Sequence, residues 1–297
     1  PYTTLFRSCL LFLFAQLHAL FYNGDILLLY AVVGFALIPV CKLKDKTVFW
    51  IALILLLQPY EWGRAIYAMI NPDYVVATGH YMPYAIRAQE VTANGNFFEV
   101  LCSNISDGQL YSNIWQVENG RLFQTAALFM FGMLLGRRKY LIKSEESVRF
   151  WKKMLKGAVL AFIPLYCLKT FVPDLLTNPS VQIPYKIAVP SYANFAFMII
   201  LVSIFTLLWF KKEKGYGWQS LLIPYGRMSL TNYISQSIMG VIIYYGFGLA
   251  MYKYAGATAS LLIALLIFTV QLIFSRWWLA RHKQGPLEFL WRKGTWI

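Results

Sequence analysis

From Pro190 to Phe210 the chain reads PSYANFAFMIILVSIFTLLWF, without one charged side chain. A helix of about 20 residues rises about 30 Å, the thickness of a bilayer's hydrocarbon core. A water-soluble core needs no uncharged run of that length, and this run has company. Uncharged length marks eight candidate spans, at 5–22, 24–41, 47–61, 120–137, 153–171, 190–210, 221–247 and 257–280. Charged residues are 13% of the chain, against about 25% in soluble domains. The expectation is an all-α, polytopic transmembrane helical bundle with about eight spans. The third span is short enough to be tilted or re-entrant.

The formal charge of +14 raises a nucleic-acid reading, which the placement of the charges opposes. Basic residues flank the apolar runs, as expected beside an anionic cytoplasmic leaflet. Lys42, Lys44 and Lys46 follow the second span, and Arg137, Arg138, Lys139 and Lys143 the fourth. Lys211, Lys212 and Lys214 follow the sixth, and Arg281, Lys283, Arg292 and Lys293 the eighth. Assigning these loops to the cytoplasm alternates cleanly and leaves both ends of the chain on that side. The expected partners are membrane lipids, not nucleic acid. Cys9, Cys41, Cys102 and Cys167 have no metal-binding or disulfide spacing, and Cys9, Cys41 and Cys167 read as small buried apolar residues. The opening PYTTLFRSCL, without Met, reads as the start of an N-terminally truncated fragment whose upstream helices are missing.

Three regions follow. Residues 1–61 form an incomplete N-terminal span group, 62–119 an outer-face loop, and 120–297 a C-terminal transmembrane domain. The loop is long for a connector, and long structured loops often carry function. Within it Leu110, Ile114 and Val117 recur at helical spacing, which predicts an interfacial helix.

Three stretches carry polar groups among apolar ones. In LHALFYNGDILLLYAVVG (17–34), Asn23–Gly24 reads as a tight turn and Asp25 as the start of the next helix. The Asp25 carboxylate can cap free backbone N–H groups there. His18, two turns earlier in sequence, is a candidate general base because histidine side chains titrate near neutral pH. Asp25 is its candidate support, though sequence does not show that the two touch. In PYGRMSLTNYISQSIMG (224–240), Ser229, Asn232 and Gln236 fall on one helix face. That stripe either bonds to neighbouring helices or lines a ligand cavity, with Arg227 at its edge for a phosphate or a lipid headgroup. In QGPLEFLWRKGTW (284–296), Gly285–Pro286 starts a short tail helix on which Glu288 and Arg292 can pair one turn apart. Phosphate loops and zinc spacings are absent, so no metal is expected.

The stretches GRMSLTNY (226–233) and GPLEFLWR (285–292), in this order, resemble the signatures of the YeiB-like membrane protein family, also called domain of unknown function 418. The upstream LHALFYNGDILLLYAVVG and GRLFQTAALFMFGMLLGRRKY (120–140) are similar to further family elements and add Tyr30 to the polar positions. The resemblance implies a bacterial, multi-pass protein of the cytoplasmic (inner) membrane. The family is similar to a wider superfamily of membrane acyltransferases. That likeness implies transfer of an acyl group, from acyl-CoA or another acyl donor, to a cell-envelope glycan or lipid. His18 and Asp25 would be the catalytic pair. Arg227, Ser229, Asn232 and Gln236 would meet substrate or cofactor, and Tyr30, Glu288 and Arg292 would be structural. A membrane transporter and a noncatalytic partner subunit are the alternatives.

Overall fold

The computed structural model describes residues 2–211 and 217–295. Helices α1 (Tyr2–Ala19) and α2 (Leu27–Val40) flank the Asn23–Gly24 turn, and α3 (Asp45–Leu56) and α4 (Pro59–Ile70) follow. Helices α5 (Met82–Asn94), α6 (Phe97–Ser103), a π-helical turn (Asn104–Gly108) and α7 (Gln109–Glu118) fill most of the expected loop. Then come α8 (Arg121–Arg137), α9 (Glu145–Phe171), α10 (Pro179–Lys211), α11 (Trp218–Arg227), α12 (Ser229–Tyr244), α13 (Ala257–Leu279) and α14 (Pro286–Thr295). Among the described residues there is no β-strand. The all-α expectation therefore stands.

The count of about eight spans does not. Among the described residues only α9, α10 and α13 are long and apolar enough to cross a bilayer, while the apolar helices Leu5–Ala19 and Leu27–Val40 are shorter. Uncharged length overcounted because the backbone breaks inside the runs. Gln58 takes the left-handed conformation (φ 52°) directly before Pro59, ending α3 after 12 residues. Proline cannot continue a helix through its own N–H, but it suits a first helical turn. Met228 interrupts the expected seventh span, leaving α11 with 10 residues and α12 with 16. A 16-residue helix rises only about 24 Å. The even-span parity that placed both chain ends on the cytoplasmic side loses its basis with the count. Lys212 and Lys214 of the sixth basic cluster lie outside the described residues.

Other local readings fare differently. Residues 62–119 are largely helical; Asn96 and Glu99 form a reciprocal capping box that starts α6. The sequence marked helical spacing over 107–119, where α7 forms. Helix α9 runs through Pro164, and α10 through Pro184 and Pro190. All four cysteines are free and exposed, so the reading of Cys9, Cys41 and Cys167 as buried residues is corrected.

The chain forms two compact units. One comprises Pro1–Ile38, His80–Trp115 and Lys214–Ile297; the other comprises Pro39–Gly79 and Gln116–Glu213. In the second unit α9 lies along α10, α4 packs on α10, and α3 packs on α8. Gln58 is fully buried and donates Nε2–H to the Gly120 carbonyl at 3.0 Å. Asp45 meets Arg137 and Arg138, each at 3.0 Å. In the first unit α1 and α12 pack on α14, α11 packs on α13, and α5 and α6 pack on the π-helical turn. The outer faces of the long helices stay apolar: Leu160 is 73% exposed, and Leu266 and Ile273 65% each.

Candidate functional site

The site forms where α1 turns back into α2. Helix α1 ends as the His18 carbonyl accepts from Phe21 N–H and Tyr22 N–H. The chain then reverses through Asn23–Gly24. Gly24 lies against the Tyr22 ring, and a Cβ there would sit 2.6 Å from the Tyr22 hydroxyl oxygen. That turn carries Asp25 back to His18. The Nδ1···Oδ1 distance is 2.7 Å, and the residues are 2% and 5% exposed. Asp25 Oδ2 accepts Leu28 N–H at 3.3 Å. The carboxylate thus caps α2 and contacts the imidazole at once.

A carboxylate accepts, so Nδ1–H donates in this pair, and in the neutral imidazole Nε2 is then the nitrogen that carries the lone pair. His18 Nε2 is buried and has no hydrogen-bond partner. Two tyrosines flank the ring: Tyr22 at 5.9 Å and Tyr233 at 5.2 Å between centroids. The Tyr233 hydroxyl lies 3.4 Å from Asp25 Oδ1. Residues from the expected loop cover the turn. Asn104, fully buried, donates to the Leu20 carbonyl at 2.9 Å, and the Ser112 hydroxyl donates to the Asp25 carbonyl at 3.3 Å. Burial pushes the Tyr22 phenol up, with Tyr111 and Asp25 adding to it. Burial also pushes Tyr245, whose hydroxyl lies 3.5 Å from Asn23 Oδ1, up to about 12.

The second group behaves differently. Asn232 is 1% exposed, and its Nδ2 donates to the Tyr225 carbonyl (3.0 Å) and Ser275 Oγ (3.1 Å). Gln271 Nε2 donates to the Asn232 carbonyl and to Ser235 Oγ. This is interhelical bonding between α12 and α13. Ser229 and Gln236, expected on the same face, are exposed. The buried polar positions of α12 are Thr231 and Asn232, so the stripe is displaced from the one expected. Both oxygens of Glu288 accept from Thr231, Oε1 from N–H at 2.9 Å and Oε2 from the hydroxyl at 2.6 Å. Glu288 therefore caps α12 from another helix. A Cβ at Gly285 would overlap Glu288 Oε2, which explains the glycine before Pro286.

Two clefts adjoin these residues. A cleft of about 340 Å³ is lined by Arg7, Arg227, Lys283, Glu288, Trp291 and Arg292, among others. Arg227 is tied there by Nη2–H donation to the Lys283 carbonyl at 2.6 Å. A second cleft, about 310 Å³ and mostly apolar, has Leu11, Leu27, Tyr30, Leu230, Tyr233 and Trp291 in its lining. Tyr30, singled out with the upstream stretch, thus faces an apolar cleft. No cluster of metal ligands occurs among the described residues.

Sequence reasoning passed over Tyr22, Tyr233, Asn104 and the α13 pair Gln271–Ser275. For the last a signal existed: two polar residues at i,i+4 in an otherwise apolar helix turn toward protein.

The residues define an all-α protein with a buried His–Asp pair, a cationic cleft and an apolar cleft. The chain belongs to the family described as protein of unknown function (DUF418), whose model matches residues 135–297. It is 27% identical over 305 residues to the uncharacterized protein YxaH of Bacillus subtilis, covering 98% of this chain and 71% of that protein. It is 28% identical over 291 residues to an uncharacterized 39.9 kDa protein of Bacillus acidopullulyticus, covering 97% of this chain and 70% of the relative. Over 70 residues it is 36% identical to the uncharacterized protein YeiB of Escherichia coli, covering 24% of this chain and 18% of that protein. No solved structure matches.

Proposed function

We propose that the protein is a bacterial membrane protein, held in the bilayer through α9, α10 and α13, that transfers an acyl group to a hydroxyl of an envelope glycan or lipid. The observation that carries the reading is His18: Nδ1 is fixed by Asp25 at 2.7 Å, while Nε2 is buried and without a partner. A base oriented by a carboxylate on one nitrogen, with the other nitrogen open, is the arrangement that activates a hydroxyl. In the reaction, Nε2 takes the hydroxyl proton as the acceptor oxygen bonds the acyl carbon. The donor's leaving group departs and receives that proton. Asp25 keeps the ring orientation and offsets the imidazolium charge. Asn232 has no part in this step, because its amide is engaged with α11 and α13.

The membrane part of the reading rests on the long helices. Only 6% of the apolar stretch of α9, and 6% of that of α13, is buried inside the protein. Apolar surface on that scale needs lipid or another chain over it.

The test compares His18→Ala, His18→Gln and Asp25→Asn with the parent in cells lacking the native copy. Mass spectrometry of envelope glycans and lipids after feeding isotope-labelled acetate reads the product. The expected result is loss of label with either His18 variant and partial loss with Asp25→Asn. Unchanged labelling in His18→Ala ends the acyl-transfer assignment. One observation favours a second reading, a noncatalytic partner subunit: the Asn232–Gln271–Ser275 web is closed by its own hydrogen bonds. Normal labelling in all three variants would support that reading.

A further inference from the structure

The two clefts share a wall. Trp291 is in the lining of both, and α1 and the α11–α12 junction wall both. On α1 the basic cleft has Arg7 and the apolar cleft Leu11, one turn on; at the junction the pair is Arg227 and Leu230. Polarity therefore changes sharply over one helical turn. Among the described residues the first cleft is lined by four cationic side chains and one carboxylate, and that carboxylate, Glu288, is bonded to Thr231. Its described lining thus carries more positive than negative side chains in a concave setting, which suits a phosphate.

We infer that these clefts form one site for an anionic phospholipid, its phosphate among Arg7, Arg227, Lys283 and Arg292 and one acyl chain along Leu11, Leu27 and Leu230. A phospholipid places its hydrocarbon directly after the phosphate and glycerol, which matches a greasy cleft one turn from the arginines. An acyl-CoA also carries phosphates, but the polar pantetheine arm separates them from its acyl chain. That arm would lie in the apolar cleft unpaired, at a desolvation cost. The α14 residues Phe289 and Leu290, 49% and 53% exposed, add apolar surface beside the clefts for the rest of the lipid. Binding here does not involve His18 and stands apart from the acyl-transfer reading.

The full 297-residue chain in detergent micelles doped with phosphatidylglycerol or phosphatidylcholine, read by native mass spectrometry, tests the site. The parent should retain one phosphatidylglycerol about tenfold or more over phosphatidylcholine, since each arginine near an anionic lipid contributes appreciably. Arg227→Gln with Arg292→Gln should remove the preference, and Arg227→Lys should keep most of it. Ser229→Trp, which fills the apolar cleft from an exposed position, should lower lipid retention without changing binding of glycerol phosphate. His18→Ala should retain lipid like the parent. Equal retention of the two lipids by the parent overturns the proposal without any variant. So does displacement of the lipid by coenzyme A or by glycerol phosphate at matched concentration, which would mark a site for soluble phosphate.

Discussion

Removing the Asp25 carboxylate removes bonds of unequal worth. Asp25→Ala deletes the 2.7 Å contact to His18 Nδ1, the 3.3 Å contact to Leu28 N–H and the long 3.4 Å contact from the Tyr233 hydroxyl. A hydrogen bond to a charged group is worth about 1.5–3 kcal/mol. The cap bond is long, so the low end of the capping range applies, about 0.5–1 kcal/mol. The variant should lose about 2–4 kcal/mol of unfolding free energy by these magnitudes. Part of that loss arises because His18, 2% exposed, is left with neither ring nitrogen paired. A double-mutant cycle with His18→Ala isolates the pair: once the histidine is gone, Asp25→Ala should cost little beyond the cap. Equilibrium unfolding in detergent, followed by circular dichroism, measures all four corners. The coupling should be about 1.5–3 kcal/mol, the value of the charged hydrogen bond. Additivity within about 0.5 kcal/mol would refute the claim that the two side chains act as a unit.

Three further outcomes are expected. Hydrogen bonding from Arg137 first, then Arg138, holds the Asp45 carboxyl below the usual carboxylate range. Its contribution to stability is therefore present above the unfolded pKa and lost as pH falls through the folded one. Melting curves across the acid range should show the parent losing its advantage over Asp45→Asn, and an advantage that grows on acidification would contradict the pairing. Gly120→Ala should destabilise by about 1 kcal/mol or more, because φ is +64° and the new Cβ would approach Gln58 Oε1 to 2.6 Å. A melting temperature equal to the parent's would show that the Gln58 contact is not formed. Asn232→Ala should cost about 2–3 kcal/mol by taking the amide away from the Tyr225 carbonyl and the Ser275 hydroxyl, whereas Gln236→Ala, at an exposed position, should fall within about 0.5 kcal/mol of the parent in the same unfolding assay.

What could be read beforehand depended on how local the physics was. The α1–α2 reversal was visible because Asn23–Gly24 is turn chemistry between two apolar runs, and Asp25 follows it at a helix start. The start of α14 was visible in Gly285–Pro286 for the same reason. The number of spans was not, because charge content says nothing about a left-handed residue at Gln58 or an irregular one at Met228. Those breaks are set by tertiary contacts such as Gln58 with Gly120, 62 residues away. The His18–Asp25 contact lies between the two cases. Its partners are seven residues apart, so the turn decides it, but the tyrosine that joins them comes from position 233. Helical spacing on α12 put the polar face one position off, since Thr231 is drawn inward by a carboxylate from α14 and not by its own helix.

That carboxylate also bears on how the protein is made. Thr231 and Glu288 are 57 positions apart, with the glutamate the later of the two. A ribosome adding roughly 5–20 residues per second exposes the first several seconds before the second. Through that interval the opening turn of α12 has neither of its two acceptors and must borrow water, lipid headgroups or a chaperone. A stop codon or proteolytic clip just before Glu288 would make the interval permanent.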